Sequence, residues 1–212
     1  MKYVIMCGGD YQDFKSHKAL TTVKGEALVE RTIRLLKENG IQDIAVTVNK
    51  DNMEFEFLDA EILHRDNSYV IKDGKVQGWW LDAFHNFNEP TCYLFGDVYY
   101  TEKGIRQIIE TDKDGNILFG TINRKLKNWE EPLAYKVKDI PSFFAGITET
   151  KRLHELGQTN RHPIVWELYR VLNGLVVNMH VLKSETYVNV ENGGMDVDYP
   201  SDGVKIEELA NE

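Results

Sequence analysis

Short apolar runs alternate with amphipathic segments along the first half of the chain. The runs occupy residues 3–7, 44–48 and 91–95, and a weaker pattern interrupted by Glu61 at 60–64 predicts a third strand. Each is bounded by glycine or polar residues, which is typical of buried strands. From Leu28 to Leu36 the apolar residues recur at helical spacing instead, and Gly40 follows where a left-handed helix cap is required. A strand, a helix and a second strand in this order predict parallel neighbours joined by a right-handed crossover.

The pattern is less regular in the second half of the chain. It predicts a helix beginning at Gly78, a turn at 72–75, helices at 102–110, 142–156 and 164–172, and strands at 117–121, 133–137 and 187–190. A polar stretch at 123–131 indicates an excursion beyond the parallel sheet. We therefore expect a single-domain, three-layer α/β fold of Rossmann-like type, with a mostly parallel sheet and an added mixed or antiparallel region.

Length, charge and cysteine placement narrow the functional classes. A chain of 212 residues with 42% hydrophobic composition is long enough for one compact domain. The net charge is −9 and no cluster of lysines and arginines occurs, which disfavours nucleic acid and anionic membranes as partners. Cys7 and Cys92 lie inside apolar runs, so we expect buried, reduced thiols. With no signal peptide and no run near the ~18 apolar residues of a membrane span, the expected location is the cytoplasm.

The first apolar run stops at Gly8 and Gly9, and Lys18 follows after a polar loop. Backbone N–H groups at the end of a buried strand, together with one ammonium, can bind a phosphate chain. The loop lacks the third glycine of a dinucleotide fingerprint and the Lys-Ser or Lys-Thr pair of a Walker loop. A simple turn is therefore the alternative to a nucleotide site.

Three aspartates are candidates for binding a cation. Asp97 comes directly after the run at 91–95, where open α/β sheets place their ligands, although it could instead be a turn or helix-capping residue. Asp196 and Asp198 are two residues apart on an extended segment, so their carboxylates point to the same side. That arrangement suits a hard divalent cation, and a solvated acidic tail is the alternative.

In their order along the chain, these motifs resemble the nucleotidyltransferase family with the GT-A-type fold. This family includes sugar-phosphate and choline-phosphate nucleotidylyltransferases and the molybdenum-cofactor guanylyltransferase group. The matching stretches are 4–9 (VIMCGG), 17–18 (HK), 25–31 (GEALVER) and 40–46 (GIQDIAV). Two departures stand out: the usual loop carries an arginine where this chain reads Asp10 to Asp13, with Lys15 nearby, and His17 replaces a proline.

The resemblance implies the roles of individual residues. Mg²⁺ would be held by Asp97, Asp196 and Asp198, and the nucleotide would lie against Cys7, Gly8, Gly9, Lys18 and Gly78. Lys18 would contact the triphosphate. Glu131 and Lys136 offer an acid and a base within one extended segment, and Lys136 is predicted to contact the acceptor phosphate, with a surface ion pair as the alternative.

The implied reaction moves a nucleoside monophosphate from a nucleoside triphosphate, with CTP favoured, to a sugar, polyol or choline-type phosphate and releases pyrophosphate. Small members of this kind often activate choline phosphate or polyol phosphates for the synthesis of cell-surface polymers. The chain would comprise a nucleotide-binding half (1–115), an acceptor and lid half (116–195) and a metal motif with tail (196–212), with a homodimer as an option. A glycosyltransferase of the same fold and, because the arginine is missing, a catalytically silent nucleotide-binding regulator remain open alternatives.

Overall fold

The computed structural model describes residues 1–9, 16–66, 69–72, 75–122 and 130–199, together with Asp202 and Ile206. Three features considered above lie outside these residues. They are the loop from Asp10 to Lys15, the centre of the turn at 72–75, and most of the polar stretch at 123–131.

The strands in the described part of the chain are β1 (Lys2–Cys7), β2 (Thr22–Val23), β3 (Glu26–Ala27), β4 (Ile44–Asn49), β5 (Glu61–Arg65), β6 (Val70–Lys72), β7 (Lys75–Gln77), β8 (Thr91–Phe95), β9 (Val98–Tyr100), β10 (Asn116–Ile122), β11 (Glu130–Val137), β12 (Tyr187–Asn189) and β13 (Gly194–Asp196). Seven of them form the central sheet, in the order β12-β10-β11-β8-β1-β4-β5. The helices are α1 (Leu28–Glu38), α2 (Glu102–Glu110), α3 (Ile140–Glu155) and α4 (Val165–Leu172).

Strand directions confirm the predicted fold class. β1 runs parallel to both β4 and β8, and β4 runs parallel to β5. β11 is antiparallel to its neighbours β8 and β10, which supplies the predicted antiparallel addition. The chain leaves β1 toward β4 on one side and returns to β8 on the other, so the switch point of the sheet lies at the carboxyl ends of β1 and β8.

The helix predicted to begin at Gly78 is wrong in its length. The structure has only a 3₁₀ turn, Trp80–Ala83. Asparagines follow this turn and favour non-helical backbone: Asn86 Oδ1 accepts from the Asn88 amide at 2.8 Å, and Asn88 adopts a φ of 56°. A second 3₁₀ turn, Lys18–Leu20, follows the first strand.

The late segment of the chain packs against the first half. β13 pairs antiparallel with β9, and Met195 and Val197 enter a small apolar cluster with Val23, Leu28, Tyr99 and Ile206. This pairing escaped the sequence patterns because each strand has three residues. In the ranges that the structure describes, no helix is both long and apolar enough to cross a membrane.

Candidate active site

A close approach of two backbone segments forms the floor of the site. The Gly96 amide donates to the Met6 carbonyl at 3.0 Å, which joins the ends of β8 and β1. A Cβ atom at Gly96 would lie 2.6 Å from that oxygen and closer still to Cys7 Sγ, so only glycine fits here. Cys7 is buried beneath this junction, where burial raises the pKa of its thiol.

His17 fixes the position of Lys18 relative to the glycine loop. Its Nδ1 accepts from the Ala19 amide at 3.2 Å, and its Nε2 lies 3.0 Å from the Gly9 carbonyl oxygen. Because Nδ1 accepts, Nε2 carries the proton and donates to Gly9. Burial lowers the pKa of His17, which favours this neutral form. The histidine that replaces the family's proline is thus a bridge between the loop and the Lys18 turn.

Lys18 lies between two of the predicted metal ligands. Its Nζ is 3.0 Å from Asp97 Oδ2 and 3.7 Å from Asp198 Oδ1. The Lys18 side chain is 7% exposed, so the ion pair with Asp97 is largely shielded from water. The structure therefore brings together a lysine and two aspartates that are far apart in sequence.

β13 carries Asp196 and Asp198 to this place. Asp196 is paired with Val98 in β9, and the Val197 amide donates to the Asp97 carbonyl at 2.9 Å. Buried Asp202 then shapes the segment, because its Oδ2 accepts from the Asp198 amide at 3.0 Å and from that of Tyr199 at 2.9 Å.

Glu131 joins the two aspartates in an acidic cluster. Carboxylate oxygens of Glu131, Asp196 and Asp198 all lie within 4.8 Å of one another. Glu131 is 3% exposed, and its Oε2 accepts from the Asp196 amide at 3.3 Å. Such a set of oxygen ligands fits a hard divalent cation. Sequence reasoning named Glu131 as an acid but did not place it with the metal ligands, because its neighbours come from other strands.

The structure does not bring Lys136 to the site, which corrects the prediction of an acceptor-phosphate contact. β11 is antiparallel to β8, so its first residues lie at the carboxyl end of β8, whereas Lys136 is paired with Cys92 near the opposite end. Lys136 Nζ donates to the carbonyls of Ile108 at 2.7 Å and Thr111 at 2.8 Å. It thus caps the C-terminus of α2, and burial lowers its pKa.

A cavity of about 410 Å³ borders this polar cluster. Its polar lining comprises Gly8, Gly9, Lys18, Asp97, Asp196 and Asp198. We call the mainly aromatic and aliphatic part of its lining the aromatic wall, which comprises Tyr69, Trp79, Trp80, Pro132, Ile164, Val165 and Trp166. Gly78 precedes this wall with a φ of 68°, and its carbonyl lies 3.0 Å from His162 Nε2.

No family model matches the chain, and no curated protein matches its sequence. Solved structures do match it. The CTP:phosphocholine cytidylyltransferase of Streptococcus pneumoniae superposes with a TM-score of 0.57 at 16% identity, over 99% of this chain and 98% of that one. The inositol-1-phosphate CTP transferase of T. maritima gives 0.60 at 12% identity, over 99% and 94%.

A Bacillus anthracis protein assigned as a glucose-1-phosphate thymidylyltransferase gives a TM-score of 0.59 at 16% identity, over 100% of this chain and 95% of that one. At such identities the likeness concerns the fold. The resemblance inferred from the motifs is confirmed at that level: the chain has the α/β fold of these nucleotidyltransferases over nearly its whole length.

Proposed function

We propose that this protein is a nucleotidylyltransferase that transfers a nucleoside monophosphate from a nucleoside triphosphate to a phosphorylated small molecule. One observation carries the proposal. The glycine loop, buried Lys18 and four carboxylates lie together at the switch point of the central sheet, and solved nucleotidyltransferases have the same fold. We further propose CTP as the donor, supported by two similar structures whose names specify CTP.

In this reaction, a phosphate oxygen of the acceptor attacks the α-phosphorus in line. The bond from the α-phosphorus to the bridging oxygen breaks, and pyrophosphate leaves with that electron pair. The attacking phosphate is already an anion, so no base has to remove a proton. Catalysis then depends on positioning two anions and neutralising their charge.

Lys18 and the glycine loop supply positioning for the triphosphate. Gly8 and Gly9 line the cavity without side chains, which leaves their backbone accessible to phosphate oxygens. The ammonium of Lys18, now 3.0 Å from Asp97, is within reach of a phosphate bound in the same cavity. Its burial strengthens that interaction relative to one in bulk water.

Glu131, Asp196 and Asp198 are the residues that would hold a divalent cation, and their cluster of carboxylate oxygens fits Mg²⁺. We propose Asp97, which is paired with Lys18 beside this cluster, as a further ligand. The bound ion would supply positive charge for the phosphates. Adding Glu131 to the predicted set gives ligands from three separate segments of the chain.

The aromatic wall supports a choline-type phosphate as the acceptor. A sugar or polyol needs many hydrogen-bond partners, since a buried hydroxyl without one is costly. The described residues of this wall are mostly tryptophan, proline and aliphatic side chains, which offer few such partners. Aromatic faces attract a methylated ammonium group instead. The acceptor phosphate would face the polar lining of the cavity.

The test measures pyrophosphate release from each of the four nucleoside triphosphates with Mg²⁺ and either choline phosphate, glucose 1-phosphate or inositol 1-phosphate. We expect turnover with CTP and choline phosphate. In a parallel reaction with an added nucleotide sugar, consumption of that sugar, without pyrophosphate release from any triphosphate, would instead support the glycosyltransferase alternative. Nucleotide binding without pyrophosphate release from any pair would support the regulatory alternative.

Asp97→Asn tests the site within that assay. Loss of this carboxylate should lower the turnover rate by on the order of 10²-fold, because the cation that would neutralise the transition-state charge loses a ligand. Asp112→Asn is a suitable control, since Asp112 is a surface residue whose side chain is 92% exposed. Near-normal turnover by a folded Asp97→Asn protein would contradict the assignment.

A further inference from the structure

A chain of hydrogen-bonded polar side chains connects α4 to the strand that carries Glu131. Arg170 in α4 donates from Nη1 to Glu167 Oε1 at 3.1 Å and to the Val177 carbonyl at 2.9 Å. Its Nη2 lies 3.2 Å from His180 Nδ1, and His180 Nε2 contacts Glu130 Oε2. The side chains of Glu167 and Arg170 are only 4% and 9% exposed, whereas those of Glu130 and His180 are 22% and 49% exposed.

The chemistry of arginine fixes the tautomer of His180. A guanidinium only donates, so Nδ1 of His180 accepts from Arg170, and the ring proton lies on Nε2. Nε2–H therefore donates to the Glu130 carboxylate. Each nitrogen of the ring has one defined role, and the ring holds α4 and β11 in a fixed relation.

One end of this chain adjoins the cavity through Trp166, and the other end adjoins the acidic cluster. Trp166, a residue of the aromatic wall in α4, packs edge-on against the His180 ring with centroids 5.4 Å apart. At the other end, Glu130 is the immediate neighbour of Glu131, whose carboxylate belongs to the acidic cluster. Holding Glu130 fixes the backbone from which Glu131 reaches Asp196 and Asp198.

We propose that His180 is a positioning residue that sets the place of Glu131 in the acidic cluster and of Trp166 in the acceptor wall. His180 itself would contact neither the cation nor the acceptor. Groups that orient metal ligands from outside typically contribute about 10-fold to 100-fold in metal affinity or activity. The kinetic part of this inference rests on the proposed function, and the metal-binding part does not.

Three substitutions at His180 separate its contacts. His180→Phe keeps a ring against Trp166 but removes both hydrogen bonds. His180→Asn can accept from Arg170 but is too short to reach Glu130, whereas His180→Gln extends far enough to donate to Glu130. His64 offers a matched control: its Nε2 lies 2.7 Å from Glu56 Oε1, at the far edge of the sheet.

The first measurement is Mn²⁺ binding by electron paramagnetic resonance, without nucleotide or acceptor. We expect His180→Phe and His180→Asn to weaken Mn²⁺ binding about 10-fold, and His180→Gln and His64→Phe to bind like the wild type. In the pyrophosphate assay at saturating Mg²⁺, His180→Asn, which also loses the ring against Trp166, should raise the KM for the acceptor and leave the KM for the triphosphate unchanged.

Unchanged Mn²⁺ affinity in folded His180→Phe would overturn the proposal, as would the absence of Mn²⁺ binding by the wild type. A lower melting temperature with wild-type Mn²⁺ affinity would show a structural role only, and would also overturn it. If the wild type binds Mn²⁺ but turns over no acceptor, the proposed function fails, and the Mn²⁺ titrations still decide the role of His180.

Discussion

The ionisable side chains of the candidate site together carry a strong excess of negative charge. Asp97, Glu131, Asp196 and Asp198 contribute four carboxylates, and Lys18 contributes one ammonium, which leaves a formal charge of −3. A triphosphate and a phosphorylated acceptor would add further negative charge. The residues alone would therefore repel the substrates of the proposed reaction, and a bound divalent cation would make the site electrostatically complementary to them.

His17 predicts a specific dependence of stability on pH. Burial places its pKa in the folded protein below the value of about 6.5 that it has in the unfolded chain. As the pH falls below about 6.5, the unfolded chain takes up the proton first, so the free energy of unfolding decreases. The neutral amide of His17→Gln can still donate to Gly9 and cannot titrate in this range.

We therefore expect the wild type to lose more stability than His17→Gln between pH 7.5 and 5, measured by urea unfolding at each pH. His85 and His162, whose pKa values are also lowered by burial, are present in both proteins and cancel in the difference. Parallel stability curves for the two proteins would contradict the assignment.

Among the elements, α2 and β13 depend on each other through a glycine. A Cβ at Gly104 would lie 2.7 Å from the Cα and the carbonyl carbon of Gly193 and closer still to its carbonyl oxygen, and this backbone cannot move without displacing β13. Thr101 strengthens the same junction, because it caps α2 by accepting from the Gly104 amide at 3.0 Å and its own amide donates to the Gly193 carbonyl at 3.0 Å.

Gly104→Ala should therefore destabilise the protein, although alanine is the better helix former. Overpacking typically costs about 1–3 kcal/mol in the free energy of unfolding. Gly146→Ala in α3 is the matched control, since its Cβ would meet the flexible Leu172 side chain rather than backbone. Urea unfolding should show a larger loss for Gly104→Ala, and a gain in stability would disprove the packing argument.

Local patterns predicted the elements whose signals are local. β1, α1 and β4 are long enough to show their period, and all three appear where the sequence placed them. β9 and β13 are three residues each and gain their identity only by pairing with one another. The direction of β11 is likewise set by its neighbours in the sheet and not by its own sequence. The antiparallel direction places Glu131 in the acidic cluster and Lys136 away from the site.

Over the whole molecule, the carboxylates of the site come from segments that are distant in sequence. Asp97 follows β8, and Glu131 lies in β11. Asp196 is the last residue of β13, and Asp198 comes two residues later. A cation bound by all of them would join these segments only in the folded state. Binding should then stabilise the protein by mass action, by about 2.7 kcal/mol when the ion is at a hundred times its Kd.

Mg²⁺ added to the protein without nucleotide should accordingly raise the melting temperature. A shift of about 2–4 °C per kcal/mol is expected for a chain of this size. Asp198→Asn should remove most of the Mg²⁺-dependent shift while the melting curve without Mg²⁺ remains cooperative. Equal shifts for the two proteins in scanning fluorimetry would show that Asp198 is not a ligand.

The pairing of β13 with β9 also has a consequence for how the protein is made. A nascent chain that has reached residue 137 already contains six of the seven strands of the central sheet, the glycine loop and Lys18. It still lacks Asp196 and Asp198, so the acidic cluster does not exist at that stage. Cation binding would thus report that synthesis has passed residue 198, and partly made chains would be unable to use a triphosphate.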